Sequence, residues 1–188
     1  MPIRPRFKNS SFKNYQVFND GQKENVKWME KYTAGFHNTR SPNIILLGTV
    51  GTGKTHLAAA VANILGDSVK TEFVKGIELL SRIKASWNNH PEESEKEALE
   101  DYRTCDLLVI DDVSVQFGSE TEKLLFYNVL DYRYEYLRPS IITSNGNVNT
   151  LKFCLGERVL DRIMENGKIL LFDWPSFRKN RQVFLEEK

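Results

Sequence analysis

The chain has 188 residues, 40% hydrophobic and 27% charged, enough for one domain with a sizeable core and unlike a disordered or fibrous protein. Its formal net charge of +1 neither demands nor excludes a nucleic-acid partner, so any basic face is local. Two separated cysteines, Cys105 and Cys154, with no Cys-x-x-Cys or Cys/His cluster, offer no zinc-site pattern and, with no signal-peptide pattern, fit the cytoplasm; no apolar run is long enough to cross a bilayer.

Residues 1–20 open basic, with Arg4, Arg6, Lys8 and Lys13, and Pro2 and Pro5 argue against an initial helix. The aromatics Phe12 and Tyr15 that follow suit either a lead-in packed on the core or a lid near a nucleotide base. Periodicity predicts a helix over 22–32 with Val26, Trp28 and Met29 inward, and Ser41-Pro42 breaks the chain. We expect a lead-in segment and helix over 1–40 and a core over 41–188.

The core begins with a short apolar run, Ile44-Ile45-Leu46-Leu47, which reads as a buried parallel strand. Gly48-Thr49-Val50-Gly51-Thr52-Gly53-Lys54-Thr55 follows. This fits the phosphate-binding pattern G-x-x-x-x-G-K-[ST], and a helix rich in good formers continues from His56. Glycines let the backbone wrap phosphate oxygens, and loop N–H groups with the helix N-terminus attract an anion. Lys54 reaches the β- and γ-phosphates, and the Thr55 hydroxyl ligates Mg²⁺. His56 is counted with this set.

A second strand is expected over 70–74, then a helix opened by Gly76 with Ile77, Leu80, Ile83 and Trp87 inward. The acidic stretch 92–101 reads as a solvated helix with only Ala98 and Leu99 apolar. Leu107-Leu108-Val109-Ile110-Asp111-Asp112 is the second landmark: a buried strand delivers Asp111 to its carboxyl end to hold the Mg²⁺ shell. Asp112 is placed to orient water or accept its proton.

A helix over 121–137 carries a stripe of Leu125, Val129, Tyr132 and Tyr136, and a strand over 140–143 ends beside Asn145. Asn145 sits where a γ-phosphate or its attacking water is contacted, or else simply forms a turn. Arg158 and Arg162, four apart on a short helix, share a face. They serve either a transferring phosphoryl group or ordinary ion pairs with Glu157, Asp161 or Glu165. A fifth strand covers 168–172, and a basic end, 177–181, follows. Alternating strands and helices make this an α/β fold with helices on both faces of a parallel sheet.

Together these segments resemble the ATPase domain of DnaC-type bacterial replicative helicase loaders, a branch of the AAA+ ATPases, and the chain is similar to the related transposition helper IstB. The marks are the lead-in at 11–15, the P-loop at 48–55, Asp111-Asp112, Thr143-Ser144-Asn145, the 156–162 segment and 172–178. The resemblance implies a five-stranded sheet in the order 5-1-4-3-2 and no C-terminal helical lid. It implies Asn145 as sensor I and Arg162 as an arginine finger for a neighbouring subunit, with Arg158 beside it. It also implies ATP/ADP and Mg²⁺, single-stranded DNA, a DnaB-type helicase ring and head-to-tail self-association as partners. A finger supplied in trans requires such a head-to-tail contact, which closes into rings or runs on as spirals. Many loaders carry Glu after the strand-ending Asp; Asp112 is one methylene shorter.

For DNA, the candidates are Lys75, Arg82, Lys84 and Trp87, where charge tracks a backbone and an aromatic stacks a base. The other reading is a solvated basic helix with Trp87 packed inward. The leading functional reading is a helicase loader with weak, DNA-stimulated ATPase activity. The alternatives are a transposase helper and a nucleotide-gated binding module in which hydrolysis is incidental.

Overall fold

The computed structural model describes residues 3–36, 42–114 and 118–178. The expected boundary at 40/41 and the end of the basic stretch at 179–181 lie outside them. Five parallel strands form one sheet in the order β2-β3-β4-β1-β5, the order that the resemblance implied. They are β1 (Asn43–Gly48), β2 (Thr71–Lys75), β3 (Leu107–Asp111), β4 (Ser140–Ser144) and β5 (Gly167–Phe172). The helices are α1 (Asp20–Gly35), α2 (Lys54–Leu65), α3 (Gly76–Ala85), α4 (Glu95–Thr104), α5 (Glu120–Glu135), α6 (Val148–Leu155) and α7 (Glu157–Glu165).

Side chains of a strand alternate between faces, so an unbroken apolar run must be covered on both. Ile44 and Leu46 of β1, with Val109 of β3 and Ile141 of β4, pack against α1 and α2 through Met29, Leu57 and Val61. Ile45 and Leu47, with Ile110 and Ile142, pack on the other face against α3 to α7 through Leu80, Phe126, Leu151 and Ile163. The pairing Ile44↔Ile141 and Ile45↔Ile142 keeps the two sets in step. The lead-in helix therefore belongs to the same core as the P-loop helix. Among the described residues no helix is long and apolar enough to cross a membrane.

Three expectations about helix faces shift. In α3, Leu79 is fully buried and Ile77 is half exposed, while Trp87 lies past the helix end and is half exposed. α3 starts directly from β2, so its packing against α4 and α5, rather than its best apolar period, sets its inward face. α4 begins after Ser94, whose side chain caps it, and runs on to Thr104, which brings Tyr102 into the core beside Ala98 and Leu99. On α5, Arg133 is buried, while Tyr136 lies just past the helix end and is exposed.

Arg133 is a buried cation whose hydrogen bonds, among the described residues, go to no carboxylate. Its Nη1 donates to the carbonyls of Tyr102 (2.9 Å) and Cys105 (2.8 Å), Nη2 to that of Pro139 (2.5 Å), and Nε to the Ser140 hydroxyl (2.9 Å). It thereby satisfies backbone acceptors at the end of α4 and the entry to β4, which burial would otherwise leave costly. Arg133→Met should cost about 3 kcal/mol or more of unfolding free energy, because it orphans several acceptors at once. A urea titration checks this; an unchanged midpoint would show that the carbonyls find other partners.

Candidate nucleotide site

The loop between β1 and α2 has backbone geometry that side chains resist. Gly53 has φ +97°, and a Cβ there would lie 2.6 Å from a Tyr15 ring carbon; one on Gly48 would lie 2.1 Å from the Phe172 carbonyl oxygen. Helices α1, α4, α5 and α6 are each closed by a side-chain cap from Asn19, Ser94, Ser119 or Asn147, whereas α2 follows Gly53 with no side-chain cap. Its first N–H groups are left for an anion.

Lys54, buried at the start of α2, folds back over the loop. Its ammonium donates to the carbonyls of Gly48 (2.9 Å) and Thr49 (2.6 Å). Burial pulls its pKa down to about 8, with Asp112 and Asp111 opposing the shift and Arg178 adding to it. The amine is thus a poorly hydrated cation held by weak acceptors, suited to exchange them for phosphate oxygens.

Parallel strands end on one edge, and this edge gathers the acids. Asp111 closes β3 and is nearly fully buried. Its Oδ1 accepts from the hydroxyls of Thr55 (2.8 Å) on α2 and Thr143 (2.7 Å) on β4. Burial pushes this carboxyl up; the two hydroxyls oppose the shift, Asp112 adds to it and the Lys75 charge counters it. Asp112 takes a left-handed backbone, φ +61°. Its N–H donates to the Thr143 hydroxyl oxygen (2.9 Å), and its Oδ1 accepts from Asn145 Nδ2 (2.6 Å). Short polar side chains tolerate this region, and a non-glycine residue there beside a cleft marks a shaped site.

The flanking segments close over the loop. The Thr52 carbonyl accepts from the Tyr15 hydroxyl (3.1 Å) and from Trp174 Nε1 (2.9 Å), and the Phe177 N–H donates to the Gly51 carbonyl (2.9 Å). The His56 ring nitrogen lies 3.0 Å from the Ser11 carbonyl, and Asn63 donates to the carbonyls of Phe7 (3.0 Å) and Ser10 (2.8 Å). The lead-in is therefore both packed on the core and part of the cleft wall. The cleft holds about 1030 Å³, and its lining includes Val50, Lys54, Thr55, Asp111, Asp112 and Asn145. Arg6, Tyr15, Lys75 and Arg178 complete its basic and aromatic rim.

Residues 48–56, Asp111, Asp112 and Asn145 thus converge, but other candidates do not. Arg158 and Arg162 lie on α7, outside the lining of this chain's cleft. Arg162 pairs with Asp131 of α5, not with the acids nearest in sequence. Arg82 binds Glu93 (2.7 Å) and Asp101 (2.8 Å), Lys84 binds Glu122 (3.0 Å), and Trp87 Nε1 donates to Glu95 (3.0 Å). Lys75 instead faces the cleft, so these four side chains do not form one free surface. Thr143, the hydroxyl that serves both acids, stood in the sequence only as part of Thr143-Ser144-Asn145, with no role of its own; its signal is the first hydroxyl after the apolar pair Ile141-Ile142, level with the end of β3.

Comparison with known proteins gives the family and the fold. The model of the IstB-like ATP binding protein family matches residues 8–183. The replicative helicase loader DnaC of Escherichia coli K12 is 36% identical over 180 residues, which is 94% of this chain and 72% of that protein. DnaC of Buchnera aphidicola subsp. Baizongia pistaciae is 35% identical over 179 residues, with the same two shares. Among solved structures, the DnaC helicase loader superposes with TM-score 0.74 at 22% identity, covering 90% of this chain and 99% of that one. AMPPCP-bound DnaA from Aquifex aeolicus superposes at 0.74 and 21% identity, covering 98% of this chain and 56% of that one; at such identities the likeness concerns the P-loop AAA+ fold. By the family match and by these sequence relatives, the chain belongs to the IstB-like ATP-binding proteins, among the DnaC replicative helicase loaders.

Proposed function

We propose that this protein is a cytoplasmic ATPase that places a DnaB-type replicative helicase on single-stranded DNA. The observation that carries the reading is the convergence of Lys54, Thr55, Asp111, Asp112 and Asn145 at one edge of the sheet, in a chain whose relatives are helicase loaders. The uncapped start of α2 receives the phosphates, and Lys54 leaves the loop carbonyls to bind the β- and γ-oxygens. Thr55 and Asp111 are hard oxygen donors 2.8 Å apart, a set that suits Mg²⁺, which takes few protein ligands and completes its shell with phosphates and water. When bound, that ion neutralises charge on the phosphates. Asp112, fixed by Asn145, orients the attacking water or accepts its proton.

Arg162, with Arg158 beside it, acts on the nucleotide of a neighbouring subunit in a head-to-tail assembly. The support is that neither arginine lines the cleft of its own chain. DNA contact is proposed for the assembly without assigned residues, since Arg82 and Lys84 are already engaged by acids. The family match also favours a second reading, a transposase helper. Capture by a replicative helicase rather than a transposase separates the two.

Lys54→Ala should lower ATP affinity about 100-fold or more, the loss of a charge-assisted phosphate contact in a shielded site; calorimetry checks it, and an unchanged affinity overturns the site. Arg162→Ala should bind ATP like the parent but lose DNA-stimulated hydrolysis, and turnover at the parent rate would remove its proposed role.

The Lys54 shift also sets a pH dependence. Only the ammonium form attracts the phosphates, and phosphate contact raises its pKa above the free-state value of about 8. ATP affinity should therefore hold below that pH, fall as pH rises through it, and be accompanied by proton uptake near pH 8. Titrations in buffers of different ionisation enthalpy read this uptake; affinity that rises with pH would contradict it.

A further inference from the structure

We propose that one stripe of α5, made of Tyr127, Asp131 and Tyr134, aims the arginines of α7, and that Asp131 is the positioning residue for Arg162. The inference rests on the reading above, in which Arg162 completes a neighbour's site. Positions 127, 131 and 134 follow helical spacing and share one face of α5; positions 158 and 162 share one face of α7. The two faces meet. The Arg158 guanidinium lies 5.3 Å from the Tyr127 ring centroid, and that of Arg162 lies 5.1 Å from the Tyr134 ring centroid. Between the rings, the Asp131 carboxylate pairs with Arg162 Nη1. The Tyr134 hydroxyl in turn donates to Glu165, back on α7.

This arrangement solves a physical problem. An arginine carries several free torsions, so an unsupported guanidinium spends little time in any one place. A carboxylate on one side and a ring face on another fix both its position and its plane. Side-chain exposure is 14% for Asp131 and 23% for Arg162, so the pair is shielded more than a surface ion pair and counts for more. Part of Arg162 still reaches solvent, and the residue does not line its own cleft. The helices are anchored by buried Leu125 and Val129 on α5 and by Val159 and Ile163 on α7. Asp131 therefore holds Arg162 in a fixed element of the fold, which favours aiming over a latch that must open.

The test mixes two disabled chains on single-stranded DNA. Lys54→Ala, at an ATP concentration well below its weakened affinity, holds little ATP but can donate Arg162; Arg162→Ala holds ATP but lacks the donor group. The mixture should hydrolyse ATP where neither chain alone does. Adding Asp131→Asn to the Lys54→Ala donor should cut the restored rate about tenfold or more, as expected when a catalytic group is misplaced. Asp131→Glu in the same donor should recover part of it, and Tyr134→Leu should also reduce it. Asp131→Asn in the otherwise native chain should melt cooperatively and bind ATP at the parent affinity; if it fails to fold, the Tyr134→Leu donor carries the test. A restored rate that is unchanged or raised in the altered donors overturns the aiming role while leaving the trans reading intact. If the simple mixture is itself inactive, the trans reading fails and the inference falls with it.

Discussion

The site depends on one buried carboxylate. Asp111 is carried to the end of β3, where a helix and a neighbouring strand each hand it a hydroxyl, from Thr55 and Thr143. Burying a charged carboxylate costs several kcal/mol, and two hydrogen bonds to a charged group return about 3 to 6 kcal/mol together. The contacts thus offset part of that cost, and burial still holds the carboxyl above its ordinary range. They also lock three elements in register: α2 through Thr55, β4 through Thr143, and the Asp112 turn, whose N–H binds the same Thr143 hydroxyl. Movement of any one of them would strand a buried polar group.

Around that anchor, the loop is built to give up contacts rather than to keep them. Helices α1, α4, α5 and α6 use a side chain to satisfy their first N–H groups; α2, like α7, has no such cap, and it is at the start of α2 that Lys54 waits on its own loop's carbonyls. The lead-in and the segment after β5 hold the loop from behind, through two donors on the Thr52 carbonyl. Rigidity is placed behind the loop and replaceable contacts in front, which is the arrangement expected of a preorganised anion site.

Much of this was legible in the sequence, for local reasons. The runs 44–47 and 107–110 are apolar without alternation because both faces of those strands are covered, and the glycine spacing of 48–55 records where a Cβ would collide. Long-range partners were not legible. Nothing local marks Arg133 as a buried cation that caps carbonyls of two other elements, or Tyr15 and Trp174 as converging on one carbonyl from opposite ends of the chain. The arginines of α7 were readable as a pair, but Asp131, the partner of Arg162, lies 31 residues upstream of it, and only helix packing brings it near. The α3 face was misjudged because Ile77 fits an apolar period that tertiary packing overrides.

The most direct measurement is a structure of the protein with Mg²⁺ and a non-hydrolysable ATP analogue. The phosphates should lie at the N-terminus of α2, with Lys54 Nζ moved from the Gly48 and Thr49 carbonyls to the β- and γ-oxygens and the γ-phosphate facing Asp112 and Asn145. A structure in which Lys54 stays on those carbonyls while the triphosphate binds elsewhere would contradict that placement.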